Sequence, residues 1–201
     1  MAGIQRQQIH LIAILSLWGW MDTAQAAPTT YVLDQAHSTV RFVGRAMGHR
    51  FTGTAHAVEG TLVFDPEQEA LIRPADILIP VAALETGHAG RDQDMRHMFE
   101  ADRYPALRFT LVKVTRLFEG PSDSSASRRY QLSGRLQIRS IEQPVAFEVL
   151  ATVSPERIEA SGHVLLTTTA FALTPPRLMF GLVRVHQDVL VTVESQWNRQ
   201  P

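Results

Sequence analysis

The sequence predicts an all-β protein, and three observations support that fold class. Apolar and polar residues alternate along most of the 201-residue chain, as they do on strands with one dry face and one wet face. Short polar segments separate the alternating runs at the spacing of an antiparallel meander. A single segment, Gly90 to Tyr104, has the apolar spacing of a helix. Together these features indicate a barrel or a sandwich with one short helix.

The alternation is clearest in the second half of the chain, where four strands are predicted. Residues 140–144 and 154–156 are interpreted as turns between them. The side chains predicted to point inward are Tyr130, Leu132, Leu136 and Ile138 on the first strand, Val145, Phe147, Val149, Ala151 and Val153 on the second, Ile158, Ala160, Gly162, Val164 and Leu166 on the third, and Val189, Val191 and Val193 on the last.

The first half alternates less regularly. A strand is predicted at residues 77–81, where Pro80 indicates an edge or a bulge. Residues 119–127, rich in serine, are interpreted as a hairpin loop rather than a domain linker. The inward residues predicted in this half are Val40, Phe42, Val58, Leu62, Phe64, Leu107, Phe109 and Leu111.

The helical segment carries Met95, Met98 and Phe99 at positions i, i+3 and i+4, so a helix presents them on one face. Charged residues cover the other side. A sheet closed at one end by such an apolar plug suggests an interior cavity rather than a catalytic cleft.

The N terminus has the pattern of an export signal. Arg6 precedes an apolar stretch from Ile9 to Trp20, and Ala24-Gln25-Ala26 is a small-x-small cleavage site. We therefore expect residues 1–26 to be a signal peptide and residues 27–201 to be one periplasmic or otherwise exported domain. Retention of the segment as an uncleaved anchor is the alternative.

Composition narrows the function further. The chain has no cysteine, which excludes disulfides, thiolate metal sites and cysteine nucleophiles. Its net charge of −1 gives no electrostatic case for nucleic-acid binding. No segment after the signal is apolar enough to predict stable membrane insertion.

Several motifs in fixed order resemble the YceI family. They are Tyr31-Val32-Leu33-Asp34 with His37-Ser38 and Phe42, Gly60-Thr61-Leu62-Val63-Phe64-Asp65-Pro66, then Thr86-Gly87, Arg91-Asp92, Met95-Arg96, Phe99, Tyr104-Pro105 and Phe109, and finally Gly134-Arg135-Leu136 and Pro144-Val145. The resemblance extends from Tyr31 to Trp197. Asp94 departs from it, because many members have histidine there.

The resemblance implies an extended lipocalin-like antiparallel β-barrel of about eight strands, which holds an isoprenoid or another long-chain lipid. It also allows a homodimer. Arg91, Asp92 and Arg96 are then a polar rim that either grips a headgroup or fixes the helix to the barrel; the second role is favoured. The predicted cavity lining is Phe42, Met47, Phe51, Met95, Met98, Phe99, Phe109, Phe147, Phe171, Met179 and Phe180.

No motif predicts catalysis, a metal or a cofactor. The histidines lack metal-ligand spacing, although His49 and His56 on neighbouring strands are the first pair to test. His37 is interpreted as a hydrogen-bonding residue at a strand start rather than a base. Binding, transport or sequestration of a lipid is the leading hypothesis. The alternatives are an enzyme or metal-dependent protein acting on such a lipid, and a partner of a membrane redox or stress-response component.

Overall fold

The computed structural model describes residues 28–46, 49–117, 127–174 and 186–201. The predicted signal peptide, Met47, Met179, Phe180 and nearly all of the predicted 119–127 loop lie outside these residues. The strands are β1 (Thr29–Leu33), β2 (Thr39–Ala46), β3 (His49–Ala55), β4 (Glu59–Asp65), β5 (Ala70–Leu71), β6 (Ala75–Pro80), β7 (Leu84–Glu85), β8 (Ala106–Arg116), β9 (Arg128–Ile138), β10 (Ile141–Val153), β11 (Arg157–Thr167) and β12 (Asp188–Arg199). The helix α1 spans Ala89–Met98, and 3-10 turns span Gln35–His37, Val81–Ala83 and Thr168–Phe171.

The strands form one antiparallel sheet that closes into a barrel. Its order is β1-β4-β6-β8-β9-β10-β11-β12, and β12 pairs back onto β1 through Leu33 and Trp197. Eight strand positions therefore surround the interior, which confirms the predicted all-β barrel with one short helix.

Three of the eight positions are long strands interrupted by a short break. β1 and β2 are separated by the turn Gln35–His37, β3 and β4 by residues 56–58, and β6 and β7 by the turn Val81–Ala83. β2 continues the pairing with β12. β3 then pairs with β2, and β7 pairs with β3, so these strands extend the sheet beyond its closed part. The barrel is therefore longer on this side, at the end where α1 lies.

At the opposite end the barrel is filled. Tyr31 is fully buried and donates hydrogen bonds from its hydroxyl to the carbonyl oxygens of Ser154 (3.2 Å) and Pro155 (3.1 Å). Phe64 and Trp197 pack beside it in the main core. This end, the closed end, is held by ordinary apolar packing.

Tyr130 is also buried toward the closed end. Burial, reinforced by the charge of Glu69, raises the pKa of its phenol to about 12. Glu69 is itself ion-paired with Arg128 and, at 3.5 Å, with Arg116. The phenol is therefore neutral at physiological pH.

Three predicted boundaries are wrong. β6 ends at Pro80, so Val81 of the strand predicted at residues 77–81 lies in a 3-10 turn instead. The helix stops at Met98 rather than Tyr104, because the following residues form tight turns in which Glu100 has a positive φ of 52°. Residues 141–144 of the predicted turn are instead part of β10, and the chain reverses at Arg139 and Ser140. Pro144 is accommodated because its part of β10 pairs with β9 but not with β11.

No helix among the described residues is long and apolar enough to cross a lipid bilayer.

Candidate ligand-binding cavity

An interior cavity of about 870 Å³ occupies the barrel between the closed end and α1. This volume lies in the upper part of the range of roughly 300–1,000 Å³ that is usual for small-molecule sites. Its wall is predominantly aliphatic and aromatic, and every inward residue predicted on the last four strands contributes to it. Because successive side chains of a strand point to opposite faces, the apolar residues of these strands form a continuous inner surface.

The cavity extends from α1 to Phe64 and Trp197 near the closed end, and several inward side chains toward α1 are incompletely covered. Val145, Phe147, Val164 and Leu166 point inward yet are only half-buried, whereas Ile158 near the closed end is 7% exposed. Well-packed cores leave few gaps larger than a water molecule. The partial exposure of these inward side chains is consistent with an open interior.

The sheet also separates at this end. β10 and β11 are paired only between Val149–Val153 and Ile158–Gly162, so the remainder of both strands is not joined. The turn Thr168–Phe171 lies against β10, and Gln143 donates a hydrogen bond from its side-chain amide to the carbonyl of Ala170 (2.9 Å). Phe171 is buried there and lines the cavity.

Two phenylalanines lie over glycines of the neighbouring strand. Phe42 is paired with Gly53, and Gly44 is paired with Phe51. A Cβ atom at Gly53 would lie 2.1 Å from the ring of Phe42, and one at Gly44 would lie 2.3 Å from the ring of Phe51. The glycines thus let both rings lie along the wall.

Polar side chains contribute to the cavity wall mainly at the α1 end. His88, Arg91 and Asp94 come from α1 and its N-cap, and His186 comes from the segment before β12. His88 and His186 are exposed to solvent, so the cavity reaches the surface here. A long apolar interior with polar groups at one opening suits an amphiphilic molecule.

The three residues of the predicted polar rim, Arg91, Asp92 and Arg96, have different surroundings. Asp92 is buried and its carboxylate accepts hydrogen bonds from the Thr86 backbone N–H (2.8 Å) and hydroxyl (2.5 Å). The hydrogen bond from the Thr86 hydroxyl is the main reason that the pKa of Asp92 is lowered, with a smaller contribution from the positive charge of Arg96. Asp92 therefore fixes the first turn of α1 to Thr86, the residue that follows β7, rather than lining the cavity.

Arg91 lies between this anchor and the cavity. Its Nε donates to the Thr86 hydroxyl (2.9 Å), and its guanidinium carbon lies 5.0 Å from the centre of the Phe51 ring. Such a distance permits a cation–π interaction. Arg91 lines the cavity, whereas Asp92 and Arg96 do not.

The structure places the predicted lining residues as follows. Eight of the eleven lie along the cavity: Phe42, Phe51, Met95, Met98, Phe99, Phe109, Phe147 and Phe171. Met47, Met179 and Phe180 lie outside the described residues. Contact of the eight with a ligand stays a prediction.

The histidines do not form the proposed metal pair. His49 begins β3 and His56 follows its end, so they lie seven residues apart on one strand rather than on neighbouring strands. An extended chain separates such positions by roughly 23 Å. Within the described ranges, no three His, Asp or Glu side chains gather closely enough to hold a metal ion.

His37 also has a local role in the structure. It belongs to the turn between β1 and β2, and its Nδ1 lies 2.9 Å from the carboxylate of Asp34. This contact is the main cause of the lowered pKa of Asp34, which also accepts a hydrogen bond from the Asn198 amide (2.9 Å). The Asp-x-x-His motif therefore shapes a break between strands.

Sequence reasoning missed a contact that holds the other end of α1. Arg139, in the β9–β10 turn, pairs with Glu100 (3.0 Å) and lies 3.4 Å from the carbonyl oxygen of Met98. A positive charge near the C-terminal carbonyls of a helix is favourable. The predicted turn begins at residue 140, so Arg139 is assigned to the strand before it and gives no signal for this contact.

These features define a lipocalin-like barrel protein with an apolar internal cavity and a helix at its opening. The chain belongs to the YceI-like domain family, whose sequence pattern matches residues 31–197.

Comparison with known proteins agrees with this assignment. The UPF0312 protein of Photorhabdus laumondii is 27% identical over 130 residues, which is 62% of this chain and 62% of that protein. The chain thus spans less than two thirds of that relative.

Solved structures show the same fold. BcnA of Burkholderia cenocepacia has a TM-score of 0.66 at 20% identity, with 82% of this chain and 98% of that chain covered. A domain from Saccharophagus degradans, described as polyisoprenoid-binding and implicated in plant cell wall breakdown, has a TM-score of 0.68 at 17% identity, with 86% and 99% covered. The YceI protein of Campylobacter jejuni has a TM-score of 0.58 at 18% identity, with 74% and 85% covered.

Proposed function

We propose that this protein binds one long-chain amphiphilic lipid of the isoprenoid class inside its barrel, and carries or sequesters it without chemical conversion. The observation that carries the proposal is the apolar cavity of about 870 Å³ that opens beside α1. The polyisoprenoid-binding description of the Saccharophagus domain supports the same ligand class.

The driving force is removal of the lipid chain from water. Each buried methylene contributes roughly 0.8 kcal/mol, so a long chain binds with few polar contacts. The Phe and Met side chains of the wall suit this task, since methionine adapts to irregular shapes. Phe109 and Phe147, with ring centres 5.9 Å apart, form part of that wall.

Export belongs to the same proposal. A signal peptide ending at Ala26 would deliver the barrel to the periplasm, where a carrier is needed because free isoprenoid chains are insoluble in water. N-terminal sequencing of the protein from its own host tests this part, and a chain that begins at Ala27 is the expected result.

A substitution that blocks the cavity tests the binding proposal. Val164→Trp places a large side chain inside the barrel, whereas Leu165→Trp places the same side chain on the outer face, where Leu165 is 63% exposed. We expect Val164→Trp to weaken binding of an isoprenoid such as geranylgeraniol by more than tenfold, because excluding two methylenes costs about 1.6 kcal/mol. Titration calorimetry of both variants measures this difference.

The matched outer-face variant makes the result interpretable. Leu165→Trp should bind as the unmodified protein does, because its change does not reach the interior. Equal binding by Val164→Trp and the unmodified protein, with both folded, would place the lipid elsewhere.

A further inference from the structure

The wall of the cavity is interrupted on one side, between β10 and β11. Their pairing reaches only as far as Val149 and Gly162, so residues 144–148 have no backbone partner in residues 163–167 of the described chain. Past this stretch, the side-chain amide of Gln143 bridges to the carbonyl of Ala170 (2.9 Å). We call the unpaired stretch, residues 144–148 and 163–167, the lateral window.

Each strand beside the lateral window is held by its other neighbour. β10 is paired with β9 over Ile141–Ala151, and β11 is paired with β12 over Arg157–Thr167. Both strands therefore stay extended although their facing edges are not joined. A fully closed barrel leaves no unpaired edge, so this interruption calls for a functional reason.

Apolar side chains lie on both sides of the lateral window. On the outer face, Leu165 is 63% exposed, and Leu150, beyond the Gly162 end, is 50% exposed; these are the highest values among the large apolar residues of the described chain. Leu190, the partner of Leu165 on β12, is exposed as well. The half-buried side chains on the inner face are Val145, Phe147, Val164 and Leu166.

Glu148 contributes the only carboxylate of the lateral window, and it is paired with Arg129 of β9 at 3.4 Å. An apolar surface therefore leads from the outer face of the barrel to the cavity wall.

The opening beside α1 suits an apolar chain less well. His88, Arg91 and Asp94 line it, and burying such polar groups against an apolar chain is unfavourable. Asp92 and Arg139 also hold the two ends of α1, so this opening cannot widen without breaking their contacts. The lateral window has no backbone hydrogen bonds between its two strands to break.

We infer that the lipid chain enters and leaves the cavity through the lateral window. This inference rests on the proposed function and adds the route by which the ligand is exchanged. Along this route the chain passes from the outer leucines to the window edges and then to the cavity wall. It therefore stays in contact with apolar surface at each step, which limits its exposure to water.

A reversible cross-link across the lateral window tests the route. The chain has no cysteine, so Ala146→Cys with Leu165→Cys introduces the only two thiols, both at exposed positions. A short bis-methanethiosulfonate linker joins them, mass spectrometry verifies the link, and dithiothreitol removes it. Stopped-flow fluorescence then measures uptake and release of geranylgeraniol that carries an anthraniloyl group on its oxygen.

We expect the link to slow uptake and release by the same factor, about tenfold or more, and to leave the Kd unchanged. Closing a route raises the barrier between the free and bound states without altering either state. Dithiothreitol should restore both rates.

The matched control places the same linker where the strands are already joined. Thr152→Cys with Glu159→Cys are direct partners in the paired part of β10 and β11. This link should change neither rate.

A single substitution tests the route without any link. Gln143→Ala removes the bridge to Ala170 at one end of the lateral window. Uptake and release should both become faster by about twofold or more, since a typical hydrogen bond is lost. Rates equal to those of the unmodified protein would contradict the inference.

The outcomes separate this inference from the proposed function. If the unmodified protein binds no lipid, the proposed function fails. If it binds lipid and the window link leaves both rates unchanged, the lipid cavity stands and the route is wrong. A link that weakens binding at equilibrium as much as it slows uptake would also overturn the inference, because its effect would then be on the bound state.

Discussion

At the scale of single residues, the open interior depends on small side chains placed opposite large ones. Phe42 covers Gly53 across the β2–β3 pair, and Phe51 covers Gly44 in the same way. A side chain at either glycine would compete with the ring for the same space. Gly44 and Gly53 therefore help to shape the cavity, although they do not line it.

Gly53→Ala tests this arrangement. The new methyl group would lie 2.1 Å from the Phe42 ring, so the ring must turn toward the interior. We expect a loss of about 1–3 kcal/mol in the free energy of unfolding, as for other overpacked sites, together with weaker uptake of an isoprenoid. Urea unfolding and titration calorimetry give the two quantities.

Gly90→Ala is the matched control for that change. Its methyl group would lie 3.4 Å from the nearest ring atom of His88, an ordinary contact, and alanine favours a helix. Its stability should be unchanged or higher by up to about 1 kcal/mol. A Gly53→Ala variant as stable as Gly90→Ala would contradict the close packing of Phe42.

At the scale of elements, α1 is attached at both ends by groups that are not part of the cavity. Asp92 holds its first turn to Thr86, and Arg139 meets its last carbonyl and Glu100. The helix therefore has a fixed position beside the opening. Of the predicted polar rim, Asp92 has the structural role that was favoured, and Arg91 also lines the cavity.

Asp92 gives stability a defined dependence on pH. Its pKa in the folded protein is below the ordinary value of 3.8, so the carboxylate contributes stability above about pH 4, and this contribution is lost as the pH falls through the lowered pKa. We expect Asp92→Asn to lower the free energy of unfolding by about 1–3 kcal/mol at pH 7. The difference from the unmodified protein should shrink at pH 3, as urea unfolding at the two pH values can show.

Asp102→Asn is the control, because Asp102 is exposed in the turn after α1. Its effect should stay within about 0.5 kcal/mol at both pH values. An Asp92→Asn difference that persisted unchanged at pH 3 would mean that the lost charge is not its cause.

At the scale of the whole molecule, much of the barrel could be predicted because strands have a period of two. The inward faces of β9 to β12 follow directly from the alternation. The β9–β10 turn could not be predicted correctly, because Pro144 resembles a turn residue unless its unpaired edge of β10 is known.

The barrel combines a packed core at the closed end with a cavity that opens beside α1. Tyr31, Phe64 and Trp197 provide a packed core that holds the barrel together. Phe64 and Trp197 also line the cavity, and its unfilled space gives up apolar contacts that a solid core would make. A bound lipid chain would restore those contacts, so the ligand would also stabilise the fold.

Native mass spectrometry of the protein purified from its own host tests the central claim most directly. The account predicts an additional mass that corresponds to one isoprenoid-class lipid per chain, released by organic solvent and identified by its fragmentation. Repeated recovery of the bare protein, combined with no uptake of added isoprenoids, would contradict a lipid-binding barrel.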